Sequence, residues 1–460
     1  MKRRTLGLLA AALLVAFLLV PRKATPPVPR SIVLVTIDTL RADHLGSYGY
    51  PRPSSPFLDR LAREGVVFEN AHSSAVQTSA AHASIFTGLY PSQHGVRSNG
   101  QGFVDGASYE PLAEALRKAG YQTAGVSAVG FLAPLLRGFS AVDLARERRP
   151  QFYRHARLVV NRALAWLAAR EPRERVFVWV HLYEPHLPQR APEECVAGLA
   201  FPSAEAKGEF ARAITDQHGI APGFYATKEQ LADSYAAYDA EVRFADRELA
   251  RLFDAMTQSG RNDDSLWIVT ADHGEGLGNH SYAGHGQLLY EEALRVPLLF
   301  YEKRQASRRV ATLVRHVDIL PTVLERVGRE SATTGYTVPG RSLLPLISGA
   351  SVPDAPAFAQ RRPAGPKMPA WEPGEIFSLR LGNWKYVVHT LGKDEFFDLR
   401  QDPFELHNLE TPSPQRDKLG SLARATFVAA AREGRALAPS AVDPRQSEEL
   451  KALGYVGANE

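Results

Sequence analysis

The amino-acid sequence predicts an α/β fold: a doubly wound sheet flanked by helices, followed by a short antiparallel sheet near the C-terminus. From Ser31 to about Gly328, apolar strand-like runs alternate with amphipathic helical segments, which is the pattern of a doubly wound sheet. After Gly328 the composition changes, and residues 350–375 are rich in Pro and Ala, which indicates a loop. Three short strands are expected next, at Glu375–Leu381, Trp384–Thr390 and Glu395–Leu399.

The individual elements of the main unit follow from the periodicity of its apolar residues. The predicted strands are Ile32–Ile37, Thr123–Ser127, Val176–Leu182, Leu266–Thr270 and Val296–Tyr301. The predicted helices are Ser55–Glu64, Tyr109–Ala119, Tyr153–Ala169, Lys228–Met256 and Asp318–Val327. In the helix at 228–256, a solvated polar face is expected from Tyr238, Asp239, Glu241 and Asp246.

Length and composition bound the class of protein. At 460 residues the chain is long enough for one large domain and a smaller one. The expected division is an N-terminal segment at 1–30, a main α/β domain at 31–330, a small subdomain at 331–410 and a tail at 411–460 with a helix near Pro414–Arg432. The net charge of +4 is small and scattered, so no nucleic-acid partner is predicted. The single cysteine, Cys195, excludes an intrachain disulfide.

The N-terminal segment predicts export. Three basic residues at 2–4 precede an apolar run at 6–20, and a Pro-rich linker follows to Pro29. The run is short for a membrane span, which favours a signal peptide. No clear small-x-small cleavage site follows it, which leaves a single N-terminal membrane anchor open. The protein is therefore expected in the periplasm, outside the cell, or anchored to a membrane facing outside the cytoplasm.

Two apolar strand-like runs end in side chains that bind metals. The run at 31–37 is followed by Asp38, and the run at 266–271 is followed by Asp272 and His273. Ligand-binding residues of open α/β sheets cluster at the carboxyl ends of the strands. Carboxylates and imidazoles are ligands of divalent metals, so the sequence predicts a metal site at these residues. The alternative is that the strand-end aspartates cap the helices that follow.

The stretch at 76–88 predicts a short helix with a hydroxyl at its entrance. Thr78 or Ser79 suits the N-cap, and Gly88 supplies the left-handed residue that ends a helix. A helix N-terminus concentrates unpaired backbone N–H groups, so an anionic ester would be held there and Thr78 can attack it. On this stretch alone, a capped surface helix is the alternative interpretation.

Short motifs in a fixed order relate the sequence to a known family. They are Asp38-Thr39-Leu40-Arg41-Ala42-Asp43, the 78–88 helix with Tyr90-Pro91-Ser92-Gln93-His94-Gly95-Val96, Glu184-Pro185-His186-Leu187-Pro188, Asp272-His273-Gly274-Glu275, Arg295-Val296-Pro297-Leu298, Asp318-Ile319-Leu320-Pro321-Thr322, Trp384-Lys385-Tyr386 and Phe397-Asp398-Leu399. From about Ser31 to Leu409, this set resembles the sulfatase family of the alkaline phosphatase superfamily. The resemblance implies an alkaline phosphatase-like mixed sheet, with the late strands forming a small C-terminal subdomain beside it.

The resemblance also assigns roles to individual residues. The matched positions are the metal ligands Asp38, Asp272 and His273, the nucleophile Thr78, which would also bind the metal, and the substrate-contacting residues His186 and His285. The expected cofactor is a divalent cation, with Ca, Mn and Zn left open. Such an ion lowers the pKa of a bound hydroxyl and polarises an ester.

The nucleophile position departs from the family pattern. Sulfatases carry there a cysteine or serine that is converted to formylglycine; the methyl group on the β-carbon of Thr78 argues against that aldehyde, so no formylglycine is expected. Thr39 replaces the second aspartate of the usual Asp-Asp pair. His82 and Ala80 replace the arginine and the proline of the usual signature, and His285 falls where sulfatases use a lysine. With one carboxylate fewer, the site is expected to favour a phosphorus-centred ester slightly over a sulfate ester.

Histidines are expected to complete the catalytic set. His82 lies four residues after Thr78 and is expected on the same side of the helix. With His186 and His285 it is a candidate to hydrogen-bond a substrate oxygen or to protonate a leaving group. A second metal held by Glu184, His186 and His285 is the alternative. Two neighbouring histidines are expected to be structural or to support the ligands: His181 and His280.

Together these observations predict an exported, metal-dependent hydrolase of sulfuric or phosphoric esters that attacks through Thr78. Its covalent intermediate would be a phospho-threonine, which water resolves. The alternatives are a transferase that moves a phospho-substituent onto a lipid or glycan, and a non-catalytic sulfatase-like binding protein. The expected substrate is an anionic ester of a small molecule, glycan or lipid, and the choice between sulfate and phosphate stays open.

Overall fold

The computed structural model describes most of the chain. The described residues are 27–103, 109–145, 152–221, 223–329, 338–361, 374–435 and 448–451. The basic and apolar segment on which export is predicted, residues 1–26, lies outside them. Within the described residues, no helix combines the length and the apolar character needed to cross a membrane.

A mixed sheet of nine strands forms the main domain. The strands are β1 (Ser31–Ile37), β2 (Val66–His72), β3 (Gln122–Ser127), β4 (Ala141–Leu144), β5 (Val176–Leu182), β6 (Ser265–Ala271), β7 (Arg295–Tyr301), β8 (Arg308–Val310) and β9 (Val314–Arg315). Their order is β4-β3-β5-β1-β6-β7-β2-β8, with β9 also paired to β2. Strand β7 runs antiparallel to β6 and β2, which makes the sheet mixed. All five predicted strands are present, and the predicted fold class is confirmed.

The central strands are buried along their whole length. Every residue of β1, β5 and β6 is buried, which explains why these strands are continuous apolar runs in the sequence. Strand β2 was not predicted, because Glu69 and Asn70 interrupt its apolar run at a register shift between Phe68 and Ala71.

Helices pack against the sheet. They are α1 (Pro56–Glu64), α2 (Thr78–Thr87), α3 (Pro91–His94), α4 (Leu112–Lys118), α5 (Ala156–Ala168), α6 (Glu193–Ala197), α7 (Ala204–His218), α8 (Lys228–Gln258), α9 (Glu291–Leu294), α10 (Ile319–Arg326) and α11 (Leu344–Ser348). The five helices predicted from periodicity correspond to α1, α4, α5, α8 and α10. Most of the others are one or two turns long, too short for a periodic signal.

The polar residues of α8 are buried, so the expected solvated face is wrong. Asp239 pairs with Nδ1 of His44, and the Asp246 carboxylate accepts hydrogen bonds from the first backbone N–H groups of α1. Tyr238 Oη donates to the carbonyl of Thr39 at 2.6 Å. These polar positions therefore fasten α8 to neighbouring loops, including the turn that follows β1.

A second, antiparallel sheet follows. It consists of β10 (Ala357–Arg361), β11 (Ile376–Leu381), β12 (Trp384–His389) and β13 (Glu395–Asp398), and the helix α12 (Pro414–Arg435) comes after it. The last three strands were predicted, but β10 lies where a loop was expected. One face of the sheet packs on Leu419 and Ala423 of α12, and the other packs on Val76, Leu289 and Leu294 of the main domain.

The sheet register aligns the ends of β1, β5 and β6. Ile37 pairs with both Leu182 and Ala271, the last residues of the flanking strands. Asp38 and Asp272 follow directly after these positions, so both carboxylates emerge at the same edge of the sheet. This edge carries the candidate site.

Candidate active site

Two carboxylates and a histidine converge beyond the ends of β1 and β6. Ligand atoms of Asp38, Asp272 and His273 lie within 4.8 Å of one another. Nε2 of His273 is 3.5 Å from Oδ2 of Asp272 and 4.0 Å from Oδ1 of Asp38. All three residues are fully buried. The structure therefore brings together the three residues that the sequence predicted as metal ligands.

The facing atoms of this group lack partners in the described part of the chain. Both carboxylate oxygens of Asp38, Oδ2 of Asp272 and Nε2 of His273 make no hydrogen bond there. Their separations are too long for hydrogen bonds, yet they suit ligands that each lie roughly 2.0–2.5 Å from one shared ion. Since buried polar atoms are normally satisfied, the donor set fits a divalent cation.

The pKa values of Asp38 and Asp272 also agree with a bound cation. Burial and then the neighbouring Asp272 raise the pKa of Asp38 well above its usual value. Burial also acts to raise the pKa of Asp272, but nearby histidines, His273 first, outweigh it and lower that pKa to about 2. Two carboxylates this close need positive charge nearby for both to stay ionised, and a cation supplies it.

Helix α2 begins at Thr78 rather than being capped by it. Gln77 is the N-cap residue, whereas the sequence predicted Thr78 or Ser79 in that role. Ser79 is held by the next loop, because its N–H donates to Oδ1 of Asn99. Oγ1 of Thr78 is buried and makes no hydrogen bond within the described residues. Its hydroxyl is therefore not used for capping. The helix ends at Gly88 with φ 68°, as predicted.

His82 connects the turn at Thr78 to the protein core. Its Nδ1 donates to the carbonyl oxygen of Thr78 at 2.7 Å, and its Nε2 accepts from Oγ1 of Thr36 at 2.8 Å. Thr36 Oγ1 in turn accepts from Nε1 of Trp179. A carbonyl only accepts, so Nδ1 carries a hydrogen, and burial lowers the pKa of His82 to about 3, which keeps the imidazole neutral and leaves Nε2 as an acceptor. The expectation of a substrate-facing His82 is corrected: both ring nitrogens are used in positioning.

His285 and His186 lie side by side next to the metal group. The ring of His285 is centred 4.6 Å from that of His273 and 4.9 Å from that of His186. A residue that the sequence reasoning missed joins them: the buried carboxylate of Glu275 lies 3.2 Å from Nδ1 of His285. Glu275 was quoted only as the end of a motif. The signal that identifies it is an acidic residue two positions after a predicted ligand.

Glu184 turns away from these histidines. Its carboxylate accepts a hydrogen bond from the backbone N–H of Ala156 and lies 3.1 Å from Nδ1 of His155. It therefore caps α5. In the part of the chain that the structure describes, the groups able to hold a metal do not combine Glu184 with His186 and His285. The second metal site considered from the sequence is not formed.

The two histidines expected to be structural differ from each other. His280 stacks on Tyr290, and its Nδ1 lies 2.8 Å from Glu292, which is a structural arrangement. His181, by contrast, is fully buried at the end of β5, with Nε2 only 3.7 Å from Oδ2 of Asp38. His181 therefore belongs to the site.

Thr39, at the position of the missing second aspartate, supports the ligands through its backbone. Its N–H donates to Oδ1 of Asp272, and its carbonyl accepts from Tyr238 Oη. Its φ of 56° places a β-branched residue in the left-handed region, which costs about 1–3 kcal/mol and persists only where surrounding contacts hold it. The turn after β1 is thus held in place to orient Asp272.

A small cleft of about 10 Å³, room for roughly one water molecule, lies beside the turn at Thr78. Its polar lining consists of Gln77, Arg97, Gln360 and Arg361. Oε1 of Gln77 and Oε1 of Gln360 are buried and make no hydrogen bond within the described residues. Since Gln77 directly precedes Thr78, two guanidinium groups and two amides lie next to the candidate nucleophile.

Comparison with known proteins agrees with this geometry. A family model described as Sulfatase matches residues 30–329. The uncharacterized sulfatase YidJ of Escherichia coli is 24% identical over 82% of both chains. A multifunctional alkaline phosphatase superfamily protein, PehA of Trinickia caryophylli, is 25% identical over 83% of this chain and 91% of its own length.

Solved structures share the fold. The phosphonate monoester hydrolase of Agrobacterium radiobacter superposes with a TM-score of 0.71 at 21% identity, covering 88% of this chain and 96% of that one. A protein solved in complex with its substrate D-glucosamine-2-N,6-O-disulfate gives a TM-score of 0.74 at 18% identity, covering 87% and 98%. The alkaline phosphatase-like architecture predicted from the motifs is therefore confirmed.

Proposed function

The chain belongs to the sulfatase family, and on this premise we propose that it hydrolyses a sulfate or phosphate ester with Thr78 as its nucleophile. The observation that carries the proposal is the Thr78 hydroxyl, which is buried and makes no hydrogen bond within the described residues. Its backbone carbonyl is held by His82, whose Nδ1 is also 3.8 Å from Oδ2 of Asp272. His82 therefore lies between the turn at Thr78 and the acidic group, and its hydrogen bond goes to the turn.

Asp38, Asp272 and His273 would hold the divalent cation in this proposal, with Thr78 completing the set. Such a cation supplies a lower pKa for the attacking hydroxyl and polarises the ester oxygens. A hydrogen bond orients the His273 ring: its Nδ1 donates to the carbonyl of Gly274 at 3.0 Å, which leaves the lone pair on Nε2 facing the carboxylates.

The reaction proceeds in two steps with Thr78 as the covalent carrier. In the first, Oγ1 of Thr78 attacks the central phosphorus or sulfur atom, a new Oγ1 bond forms, and the bond to the alcohol oxygen breaks with its electron pair. His285, held at Nδ1 by Glu275, takes the Thr78 proton and passes it to the leaving oxygen. In the second step water attacks the threonine ester, Thr78 regains a proton, and the inorganic anion leaves.

The preference for a phosphorus centre rests on the nucleophile rather than on charge. The sequence argument counted one lost carboxylate, at Thr39. Burial lowers the pKa values of His82 and His285, so both are neutral where the family pattern has an arginine and a lysine, and two positive charges are lost against one carboxylate. The balance of charge therefore no longer favours a more anionic substrate. What remains is that Thr78 lacks the aldehyde hydrate through which sulfatases act. We therefore place phosphate or phosphonate esters first and sulfate esters second.

The polar side chains that line the small cleft beside Thr78 support a substrate that carries further polar or anionic groups. Arg97 and Arg361 supply positive charge there, and Gln77 and Gln360 supply amides. An anionic ester of a glycan, a lipid headgroup or a small molecule has groups of this kind. One structural neighbour was solved with its own substrate, D-glucosamine-2-N,6-O-disulfate, and this supports a ligand of that kind.

Export remains part of the proposal. The basic residues and apolar run at 1–20 support delivery across the cytoplasmic membrane, by a cleaved signal or as an anchor. Cell fractionation of the full-length protein, with mass spectrometry of its N-terminus, tests this. Recovery of an uncleaved protein from the cytoplasm would contradict it.

A substrate panel tests the reaction. Metal-loaded protein is assayed with the same chromogenic alcohol as a sulfate ester, a phosphate monoester, a phosphodiester and a phosphonate monoester. The proposal expects hydrolysis, with a phosphorus ester fastest. A preference of about tenfold or more for the sulfate ester would overturn the ranking. Transfer to an added alcohol in place of hydrolysis would identify a transferase.

A further inference from the structure

We propose that His181 is a fourth protein ligand of the cation, so that the site offers two imidazoles and two carboxylates and selects a transition metal over Ca²⁺. This inference rests on the proposed metal site at Asp38, Asp272 and His273. It adds a residue that the sequence reasoning had assigned to structural support, and it narrows the identity of the metal.

His181 lies beside both carboxylates. Two groups of described residues are able to hold a metal, and they share Asp272: Asp38, Asp272 and His273 in one, and His82, His181 and Asp272 in the other. Its Nε2 lies 3.7 Å from Oδ2 of Asp38, between the 3.5 and 4.0 Å separations found for His273. This distance is too long for a hydrogen bond, and Nε2 has no other partner in the described residues. Ligand atoms of His181 and Asp272 also lie within 4.8 Å of each other, in a group that includes His82.

His82 is not a ligand in that group. Its Nδ1, the nitrogen nearer Asp272, carries the hydrogen donated to the carbonyl of Thr78, and its Nε2 accepts from Thr36. A nitrogen that bears hydrogen has no lone pair for a metal. The available nitrogen of the group is therefore Nε2 of His181.

Neighbouring strands orient the His181 ring. In the sheet register, His181 of β5 pairs with Ser127 of β3 on one side and with Thr36 of β1 on the other. Oγ of Ser127 lies 3.2 Å from Nδ1 of His181 and also accepts from the N–H of Val129. We assign the hydrogen to Nδ1, since a hydroxyl oxygen can accept two hydrogen bonds, and Nε2 then keeps its lone pair. Metal-binding histidines are commonly held in this way.

A fourth ligand with nitrogen changes the choice of metal. Ca²⁺ prefers six to eight oxygen ligands, whereas Zn²⁺ and Mn²⁺ accept imidazole together with carboxylate. A set of two imidazoles, two carboxylates and a hydroxyl provides fewer oxygen donors than Ca²⁺ prefers, and it includes two nitrogen donors. The geometry therefore points to Zn²⁺ or a neighbouring transition metal.

Binding of Zn²⁺ and Ca²⁺ to the metal-free protein tests the inference without measuring activity. We compare wild type with His181→Gln and with His94→Gln, which changes another buried histidine, one hydrogen-bonded to Ser84 and away from the carboxylates. The expected result is tighter Zn²⁺ than Ca²⁺ binding in the wild type, and a loss of Zn²⁺ affinity of about tenfold or more in His181→Gln alone. Unchanged Zn²⁺ affinity in His181→Gln, or tighter binding of Ca²⁺ in the wild type, would overturn the inference.

Two further measurements separate ligation from packing. The visible spectrum of the Co²⁺-loaded protein reports ligand number and type, and is expected to change in His181→Gln but not in His94→Gln. In His181→Ala, added imidazole is expected to restore Zn²⁺ affinity. The variant Asp38→Asn separates a failure of the whole metal site from a failure of His181 as a ligand. If neither Asp38→Asn nor His181→Gln changes Zn²⁺ affinity, the proposed metal site is wrong. If Asp38→Asn lowers Zn²⁺ affinity and His181→Gln does not, the metal site stands and His181 is not one of its ligands.

Discussion

The carbonyl oxygen of Thr78 and Nδ1 of His82, one helical turn apart, are joined by a hydrogen bond of 2.7 Å. The same imidazole reaches back through Thr36 to Trp179 in the core. The entrance of α2 is therefore not a loose capped end. Its backbone is held by an imidazole whose Nδ1 also lies 3.8 Å from Oδ2 of Asp272.

Replacing Thr78 by valine is expected to abolish turnover. Valine keeps the shape of threonine without the hydroxyl, so the loss should be about 10³-fold or more in kcat, while Thr78→Ser keeps measurable activity. The control is Thr87→Val at the other end of the same helix, where the hydroxyl donates to the carbonyl of Ala83 and accepts from the N–H of Leu89. The test is to measure kcat for each variant with the ester that the wild type hydrolyses fastest. Full activity in Thr78→Val would show that Thr78 is not the nucleophile.

His82 is expected to act as a positioning residue. In His82→Phe both hydrogen bonds are lost, and kcat should fall about 10- to 100-fold because the nucleophile turn shifts, while KM and metal content stay near their original values. His82→Gln offers an amide donor and acceptor in their place and should recover part of the rate. A variant that loses metal and activity together would instead show that His82 acts on the cation site.

Arg97, close to the turn at Thr78, is expected to discriminate between leaving groups. In Arg97→Gln, KM should rise about tenfold for an ester whose alcohol carries a carboxylate, because a charge-assisted contact is lost, and should stay constant for a neutral alcohol. Arg304→Gln is the control, because this exposed arginine lies near the start of β1, at the other edge of the sheet. Equal changes for both alcohols would assign Arg97 to general support of the fold.

The parts of the fold that the sequence predicted are those with a local signal. Strands β1, β5 and β6 are buried on both faces and so appear as uninterrupted apolar runs. Strand β10 was missed because its pairing with β11 is a tertiary property, and the Pro- and Ala-rich sequence around it has the composition of a loop. The polar face of α8 was misassigned because Asp239 and Asp246 find their partners nearly 200 residues away.

The site was predicted where strand ends determine it and missed where it depends on contacts across the fold. Asp38 and Asp272 follow directly from the ends of aligned strands. Glu184 sits in a motif with His186, yet its carboxylate caps α5, a helix that starts 28 residues earlier. The position of His181 near Asp38 likewise depends on strand pairing, which one sequence does not reveal.

Lys385 is expected to stabilise the junction of the two sheets. It is fully buried on β12, with Nζ 3.1 Å from Glu291 of the main domain and 2.8 Å from Glu405. Lys385→Met leaves Glu405 as a buried carboxylate without its cation, so the free energy of unfolding should fall by about 3–5 kcal/mol. Lys393→Met, which removes an exposed pair with Glu410, is the control and should change little. Similar denaturation midpoints for the two variants would contradict this role.

His280 is expected to make stability depend on pH. Burial alone would lower the pKa of His280, but the carboxylate of Glu292 outweighs it and raises the pKa to about 9. The backbone carbonyl of Glu405 and the ring of Tyr290 also contact the imidazole. The unfolded pKa is near 6.5, so this contribution is fully present below that pH and is lost as the pH rises toward 9.

The test of this dependence compares wild type with His280→Asn, because asparagine tolerates the left-handed backbone, φ 52°, that His280 adopts. The difference in unfolding free energy between the two should shrink by on the order of 2 kcal/mol between pH 6.5 and 9. Glu405, whose pKa is raised to about 7, also titrates in part of this range, but it is present in both proteins and largely cancels in the difference. His407→Asn, at an exposed histidine, should follow the wild-type curve. A constant difference across this range would mean that His280 is neutral in the folded protein and that its contact with Glu292 carries no charge.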